Sequence, residues 1–511
     1  MISVLRNLAI AIVGGVALAS SFPDLGWWPM AYVALALLWL ALVSAKAWGG
    51  FFYCWVFGTV FMLPHVWWAY TSVGAVPWVA LSIASGLFYG LFGAAWVHVR
   101  RSGVLRGSAW LGAPAFALLW VAMEQLRSIV PFGGFPWGRL AFSQMDSAAA
   151  PLAWVGGAAL VSFAAALMGA LIGAGAESLM RRKFVTGFAA PLVGIAVICS
   201  GMLVPLDTQP TDGERLRVGV VQGNVPNEGL DAFSQARQVT KNHRDGTLAL
   251  VESDPGPIDL VAWPENAADY DPRTDSESAA MVTEAAQAAK APVLLGTNDY
   301  TPEDGRYNTS LVWTPEGTVL DTYNKQRPAP FAEYIPMREI ARKFSAEVDR
   351  VTTEVLPGDG PATVTVPIAA LSRAVTIGTV ICFEVAYDPI VTASAAAGAE
   401  LLVVQTNNAS FGETAESTQQ LEMSRLRAIE TGRSVVHVST VGVSGIIDAT
   451  GRVLDSTELF TADQMYASVP LRDTLTPAVR LRWFWEWLPL AGAVLLVTAA
   501  VSRRLSDRYD W

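Results

Sequence analysis

The second half of the 511-residue sequence places a thiol and a carboxylate where α/β proteins often carry catalytic groups. Cys382 follows the apolar run Ala374–Ile381, and Glu265 follows the run Ile258–Trp263 in Trp-Pro-Glu. A thiol at a strand-to-helix turn can use helix N-terminal amides to favour its thiolate, and a carboxylate can serve as its base. These two residues predict nucleophilic catalysis, although a buried structural cysteine is the alternative interpretation.

Lys325 and Glu333 lie between these two positions in the chain. Lys325 follows an extended stretch in Tyr-Asn-Lys-Gln, and Glu333 stands in Pro-Phe-Ala-Glu-Tyr. Taken one at a time, a Lys or Glu at the start of a loop is usually solvated at the protein surface. The order and spacing of the four residues together favour a shared site, in which the lysine would accompany the carboxylates and the thiol.

The sequence offers no pattern for a metal or cofactor site. Its four histidines are scattered, and it contains no HExxH, no paired CxxC and no P-loop. Cys54 and Cys199 lie in apolar runs that we interpret as membrane spans, which leaves Cys382 as the only other cysteine. We therefore expect no intramolecular disulfide, no metal, no cofactor and no nucleic-acid partner.

Residues 205–480 read as an α/β domain, because short β-branched apolar runs alternate with alanine-rich amphipathic stretches. The predicted strands are Leu216–Val221, Ile258–Trp263, Val293–Thr297, Ser310–Trp313, Val375–Cys382, Leu401–Thr406 and Val435–Thr440. The predicted helices include 276–290 and 414–432. This segment also holds 38 of the 45 acidic residues of the chain, which indicates a surface in water.

The rest of the chain has the composition of a membrane protein. The whole sequence is 52% apolar and 16% charged, whereas soluble proteins average about 25% charged residues. Seventeen of the 19 tryptophans lie outside residues 205–480. A spanning helix needs about 20 mostly apolar residues. Runs of this kind occur at about 3–20, 27–45, 48–70, 76–99, 109–126, 151–176, 184–204 and 485–502.

The basic residues give these spans an orientation. With the N-terminus in the cytoplasm, eleven Lys and Arg fall in cytoplasmic segments and only Arg127 and Arg139 in short external loops. We therefore predict seven spans in residues 1–204, an extracytoplasmic domain at 205–480, and an eighth span with a cytoplasmic tail at 481–511. Residues 1–20 also resemble a cleaved signal peptide, which is the alternative to a first span.

The motifs resemble a known family. Trp-Pro-Glu at 263–265, Lys325, and Cys-Phe-Glu at 382–384 are similar to the Glu–Lys–Cys triad of the nitrilase superfamily. Together with the spans, the chain resembles the bacterial apolipoprotein N-acyltransferases. The resemblance extends to Glu124–Arg127, Gly134–Trp137, Val221–Pro226, Pro330–Pro336, Thr406–Gly412 and Arg425–Glu430.

The resemblance implies a fold and a reaction. The fold would be a nitrilase-like αββα sandwich on an eight-helix membrane base in a bacterial inner membrane, as a monomer. Cys382 would take an acyl chain from a phospholipid as a thioester and pass it to the α-amine of a diacylglyceryl-cysteine at the N-terminus of an apolipoprotein. Glu265 would be the base, and Lys325 with the Phe383 amide would stabilise the oxyanion. Glu333 would hold the lysine, and Glu384 matches a further acidic position.

The chain departs from the family pattern at two places. Phe383 stands where the family often has tyrosine, and no tryptophan occurs near Asp231, where the family often has one. The Gly- and Pro-containing stretches 327–337 and 355–361 are candidate lid loops. Two other functions remain open from the residues: a membrane-tethered amide or nitrile hydrolase using the same triad with water, and an inactive scaffold or transporter for lipoproteins.

Overall fold

The computed structural model describes residues 2–225, 236–303 and 305–509, so that Asp231 and its neighbours lie outside the described residues. Contacts within the chain divide it into two compact units. The helical unit consists of Met1–Trp67, Ala75–Pro205 and Leu481–Trp511, and the α/β unit consists of Trp68–Gly74 and Leu206–Arg480. The α/β unit thus includes a short segment from the end of the third predicted span.

The described residues form α-helices and β-strands in the following chain order. The helices are α1 (Ile2–Ser20), α2 (Met30–Leu42), α3 (Ala47–His65), α4 (Trp68–Val73), α5 (Ala75–Arg101), α6 (Ala109–Arg127), α7 (Ala153–Met180), α8 (Phe184–Cys199), α9 (Gln238–Glu252), α10 (Ser276–Ala289), α11 (Arg338–Ala341), α12 (Asp388–Ala396), α13 (Glu416–Thr431), α14 (Pro477–Arg480) and α15 (Arg482–Tyr509). The strands are β1 (Arg215–Gln222), β2 (Leu260–Ala262), β3 (Val293–Tyr300), β4 (Gly305–Trp313), β5 (Val319–Asn324), β6 (Glu354–Val355), β7 (Thr363–Ile368), β8 (Arg373–Ile381), β9 (Leu401–Thr406), β10 (Val435–Ser439), β11 (Gly445–Ile447), β12 (Val453–Ser456) and β13 (Asp463–Pro470).

Every predicted span corresponds to a helix, but the helices differ in length. Within the described residues, seven helices are long and apolar enough to cross a membrane. The second predicted span, at 27–45, forms the shorter helix α2 of 13 residues. Pro29 occupies its N-cap, and the chain before it forms turns because proline lacks the N–H that a preceding helical turn would need. The sequence-based count of eight spans remains a prediction.

Two of the quoted motifs meet inside the helical unit. Glu124 accepts hydrogen bonds from the Trp120 indole (2.9 Å) and from the Leu140 backbone N–H (2.8 Å). The Arg127 guanidinium donates to the carbonyl oxygens of Phe135 and Trp137. Glu124 and Arg127 are both buried, so the end of α6 is held to the segment that follows it rather than left in an exposed loop.

The α/β unit contains two sheets. One has the order β13-β1-β2-β3-β4-β5, with β6 paired to β4, and the other has the order β12-β11-β10-β9-β8-β7. Strands β1, β2 and β3 run parallel, as do β8, β9 and β10. Strands β1 and β13 pair antiparallel over Arg215–Gln222, which joins the two ends of the long segment of this unit. All seven predicted strands are present, and β5, β6, β7, β11, β12 and β13 are additional.

Helices cover the outer faces of the two sheets. Helices α9 and α10 pack on the first sheet, and α12 and α13 pack on the second, which gives the αββα order of layers. Buried polar side chains also connect the two inner faces: Ser310 on β4 and Thr379 on β8 are hydrogen-bonded at 2.9 Å, and Gln405 on β9 donates to the Trp263 carbonyl at 2.7 Å. The second contact fixes the segment just before Glu265.

Arg427 on α13 is fully buried and holds the chain that follows Cys382. Its guanidinium donates to the carbonyl oxygens of Val385 (2.7 Å) and Ala386 (3.0 Å) and forms ion pairs with Glu430 (2.5 Å) and Asp388 (2.8 Å). The planar guanidinium, with its five donors, suits such a set of acceptors better than a lysine would. This residue therefore positions the turn between β8 and α12.

We expect Arg427→Met to lower the free energy of unfolding by roughly 3–5 kcal/mol, because it leaves the buried Glu430 without its cation. The measurement is the Tm of the purified full-length protein in detergent. Arg452→Met is the control, since Arg452 is exposed. Equal Tm values for both variants would contradict this role of Arg427.

Candidate active site

Cys382 lies at a strained turn immediately after β8. Its φ is +53°, in the left-handed region that non-glycine residues adopt at a cost of roughly 1–2 kcal/mol. A five-residue 3₁₀ helix, Cys382–Ala386, follows, and α12 begins only at Asp388. The thiol is buried with 7% exposure. Such a turn directs a side chain away from the strand that precedes it, and strain of this kind is typical of functional sites.

Glu265 reaches the site because its backbone lies tightly against β3. Gly296 on β3 donates its N–H to the Pro264 carbonyl at 3.1 Å. A Cβ at position 296 would lie 2.7 Å from Glu265 Cα and 2.7 Å from Asn266 N. Gly296 is therefore required for this close approach. The Glu265 side chain is buried with 4% exposure.

Lys325 joins the two carboxylates. Its Nζ lies 2.9 Å from Glu333 Oε1 and 3.3 Å from Glu265 Oε1, and the residue is 1% exposed. The Asn308 side-chain amide on β4 donates to the same two oxygens, at 2.6 Å for Glu265 and 3.2 Å for Glu333. The other oxygen of Glu333 accepts from the Ala329 backbone N–H at 2.6 Å. The cation and its two partners thus form one buried cluster.

The pKa values of this cluster separate the two carboxylates. Burial raises the pKa of Glu265, and the charge of Glu333 adds to this while Lys325 opposes it. Burial also acts to raise the pKa of Glu333, but Lys325 and the Ala329 N–H lower it by more, so the net pKa is below its usual value. Burial lowers the pKa of Lys325, yet Glu333 and Glu265 outweigh it and the pKa lies well above its usual value. Glu333 is the stable counter-ion, and Glu265 is the carboxylate able to exchange a proton.

The thiol differs from the sequence-based expectation. Burial raises the pKa of Cys382 well above its usual value, the charge of Glu265 raises it further, and Lys325 opposes both. The short 3₁₀ turn does not favour the thiolate enough to reverse this direction. A hydrogen bond from the Cys382 thiol lowers the pKa of Glu265, so the two groups are close. The thiol therefore needs a neighbouring base, and Glu265 is in place to act as one.

Glu384 faces the loop that carries Lys325 and ties it to β8. Its carboxylate accepts from the backbone N–H groups of Gln326 (2.7 Å) and Ile381 (3.0 Å) and from the Tyr323 hydroxyl (2.8 Å). Burial raises the pKa of Glu384 above its usual value, although these hydrogen bonds oppose part of the rise. Glu384 thus fixes the loop that carries Lys325 against the end of β8.

Phe383 packs in an aromatic cluster within the α/β unit. Its ring centroid lies 6.1 Å from that of Trp68 on α4, and the Trp68 ring lies 5.3 Å from that of Phe411. The Trp68 indole also donates to Gln419 at 3.3 Å. A tyrosine hydroxyl is absent at position 383, but the ring is held by these contacts.

The structure brings together the sequence-predicted residues Cys382, Glu265, Lys325 and Glu333 and adds three amide or acid side chains that the sequence did not indicate. Asn308 bridges the carboxylates, Gln420 lies 3.5 Å from Cys382 Sγ, and Glu416 is buried beside them. No local sequence pattern marks Asn308, because both carboxylates that it bonds lie far from it in the chain. In the parts of the chain that the structure describes, no three His, Cys, Asp or Glu side chains are grouped to hold a metal ion.

Comparisons with known proteins find relatives of both parts of the chain. Residues 217–475 match the carbon-nitrogen hydrolase family, which defines the α/β unit as a domain of the nitrilase type. Residues 14–171 match the N-terminal domain of apolipoprotein N-acyltransferases. The relatives include an apolipoprotein N-acyltransferase of Mycolicibacterium smegmatis, 38% identical over 96% of this chain and 83% of that protein, and one of Azotobacter vinelandii, 31% identical over 98% and 95%. The chain belongs to the apolipoprotein N-acyltransferase family.

Among solved structures, an amidase of the nitrilase superfamily from Nesterenkonia AN1 aligns with a TM-score of 0.39 and 17% identity, covering 53% of this chain and 95% of the amidase.

We expect Gly296→Ala to reduce the rate of lipopeptide N-acylation by about tenfold or more, because the added methyl group displaces the backbone of Glu265 and small misplacements at a site are costly. The measurement is single-turnover acylation followed by mass spectrometry. Gly49→Ala is the matched control, since its added Cβ would meet atoms only at 3.5 Å or more. Unchanged acylation in Gly296→Ala would contradict the role of this close approach.

We expect Glu265→Gln to raise the Tm at pH 7. A folded-state pKa above the unfolded value of about 4.3 means that ionisation of Glu265 destabilises the folded state as the pH rises, and an uncharged isostere removes this loss. The difference in Tm between variant and wild type should vanish as the pH falls towards 4. Glu333→Gln should do the opposite at pH 7, because the pKa of Glu333 is lowered. A lower Tm for Glu265→Gln at pH 7 would contradict the assignment.

Proposed function

We propose that this protein transfers a fatty acyl chain from a membrane phospholipid, through a thioester on Cys382, to the α-amine of the N-terminal diacylglyceryl-cysteine of apolipoproteins. The observation that carries the proposal is the contact set of Cys382, Glu265 and Lys325 in a chain of this family. The reaction has two halves, and each requires a base that can take up and return a proton. Glu265, with its raised pKa, is suited to both halves.

In the first half, Cys382 Sγ attacks the ester carbonyl carbon of the phospholipid while Glu265 takes the thiol proton. Lys325, together with the Phe383 backbone N–H, stabilises the negative charge that develops on the carbonyl oxygen. The carbon–oxygen ester bond then breaks, and Glu265 returns the proton to the departing lysophospholipid oxygen. The thiolate does not exist beforehand, since the pKa of Cys382 is high.

In the second half, the neutral acceptor amine attacks the thioester carbon and Glu265 takes one of its protons. The carbon–sulfur bond breaks, an amide forms, and the proton returns to Cys382. Glu333 keeps Lys325 in place throughout, because its carboxylate remains ionised beside the ammonium. Glu384 acts further out by fixing the loop that carries Lys325.

The exposed side chains of the segment after Lys325 favour the proposal of a lipid substrate. This segment exposes four large apolar side chains, which a water-facing loop seldom groups together: Phe331 (43% exposed), Met337 (57%), Ile340 (52%) and Phe344 (72%). We propose that acyl chains approach the site across this loop, which includes the candidate lid stretch 327–337.

The proposed location is the bacterial inner membrane. Residues 1–204 would supply seven spans and 481–511 an eighth, with α2 as the shortest of them. Residues 205–480 would lie on the extracytoplasmic side, between the seventh and eighth spans, with both termini in the cytoplasm. The distribution of basic residues in the sequence supports this orientation. We propose that the enzyme acts as a monomer without a cofactor.

Incubation of the purified protein with phospholipid vesicles should produce an acyl adduct on Cys382 that intact-mass and peptide mass spectrometry detect. The adduct should be absent in Cys382→Ala, and it should persist until a diacylated lipopeptide with a free α-amine is added. Glu265→Gln should form no adduct, because the thiol loses its base.

Three results would contradict the proposal. Acyl transfer to the lipopeptide by Cys382→Ala would exclude the thioester route. Turnover of the adduct to free fatty acid, with no acylated peptide, would favour an amide-hydrolase type of enzyme that uses water. A wild-type protein that forms no adduct would favour a lipoprotein-handling scaffold.

A further inference from the structure

A buried polar chain connects Glu416 to the sulfur of Cys382. Asn408 follows β9, and its side-chain oxygen Oδ1 accepts hydrogen bonds from the hydroxyls of Thr406 and Ser439. Its amide NH₂ must therefore point the other way, where it donates to Glu416 Oε2 and, at 2.9 Å, to Gln420 Oε1.

The orientation of Asn408 in turn fixes Gln420. Because Gln420 Oε1 accepts from Asn408, its Nε2 faces Cys382 Sγ at 3.5 Å. Both amides are fully or almost fully buried, so no water competes for these bonds from bulk solvent. The position of Gln420 against the sulfur thus depends on Asn408, and that of Asn408 depends on Glu416.

Glu416 itself has features of an acid that stays uncharged. It is fully buried, and its Oε1 has no hydrogen-bond partner among the residues that the structure describes. An ionised oxygen in such a place is strongly disfavoured, because burying an unpaired charge costs far more than burying a neutral acid. The N-terminus of α13 favours the ionised form, but burial and the charge of Glu265 act against it, and the pKa of Glu416 is raised to about 8.

Two titratable groups on neighbouring elements face Glu416. Glu265 follows β2, and its charge raises the pKa of Glu416. Cys382 follows β8, and an ionised Glu416 raises the pKa of the thiol. Lys325 acts to lower the pKa of Glu265 and of Cys382. Its positive charge therefore offsets part of the negative charge that Glu265, Cys382 and Glu416 can carry.

We propose that Glu416 is a positioning residue for the nucleophile: as a neutral acid it fixes Gln420 against Cys382 through Asn408 and adds no negative charge beside the sulfur. The inference rests on Cys382 being the nucleophile of the proposed function. Glutamine at position 416 would reproduce the neutral acid, because its amide has the same shape and can accept the Asn408 bond. Alanine would remove the acceptor and release Asn408 and Gln420.

The first experiment needs no lipid substrate. The full-length protein in detergent is alkylated with iodoacetamide across pH 6–10, and modification of Cys382 is followed by peptide mass spectrometry. Below about pH 8 the alkylation rate of Glu416→Gln should match wild type, because both carry a neutral group at position 416. Above that pH Glu416→Gln should be alkylated several-fold faster, because ionised Glu416 raises the pKa of the wild-type thiol. Glu413→Gln, an exposed carboxyl three residues earlier, is the control and should match wild type.

The second experiment measures acyl transfer to a diacylated lipopeptide at pH 7. Glu416→Gln should be faster than Glu416→Ala by about tenfold or more, since loss of the bond to Asn408 displaces the group next to the sulfur. Thermal unfolding verifies that both variants are folded.

The inference is overturned if Glu416→Gln is alkylated faster than wild type already at pH 6–7, because Glu416 would then carry a negative charge there. It is also overturned if folded Glu416→Gln transfers acyl chains no faster than Glu416→Ala. Failure of every protein, wild type included, to transfer an acyl chain would refute the proposed function instead, and the alkylation profiles would still decide the role of Glu416.

Discussion

The proposed active site depends on one buried ammonium group. Lys325 is 1% exposed, and a charge in such a place is tolerated only when counter-charges and hydrogen bonds surround it. Glu333 and Glu265 provide the charges, and Asn308 satisfies the oxygens that both direct towards the lysine. One cation cannot neutralise two carboxylates, so the closer one stays ionised and the other is left with a raised pKa. This excess of one negative charge explains why Glu333 is the ionised partner of Lys325 and why Glu265 is suited to act as the proposed base.

The fold delivers these groups by ending several strands at the same edge. Glu265 follows β2, Lys325 follows β5, and Cys382 follows β8, so their separation of 117 residues in the chain does not matter in space. Backbone contacts as well as side-chain contacts fix the position of these groups. Gly296 lets the Glu265 segment approach β3. Glu384 accepts from the Gln326 N–H in the Lys325 loop and from the Ile381 N–H at the end of β8. The geometry of the site therefore depends on strands from both sheets.

The sequence predicted the buried strands and the charged residues, but it could not predict their energetics. Continuous apolar runs identified β1, β3 and β9, whereas β7 was missed because its burial alternates residue by residue, as in Thr-Val-Thr-Val. Asn308 and Gln420 were missed for another reason: their partners at the site lie far away in the chain, and no local pattern marks such contacts. The direction of the shift in the pKa of Cys382 required knowledge of burial, which overrode the expected effect of the turn.

Helix α4 has a consequence for how the catalytic unit can be isolated. The α/β unit is assembled from two separate stretches of chain, and the shorter one contributes Trp68, whose ring packs against Phe411 and Phe383 next to Cys382. A soluble fragment cut from the chain at residues 206 and 480 would lose this cover and present bare aromatic rings to water. Such a fragment would tend to self-associate through the surface beside its own cysteine, and adding the α4 sequence through a flexible linker would restore the missing piece.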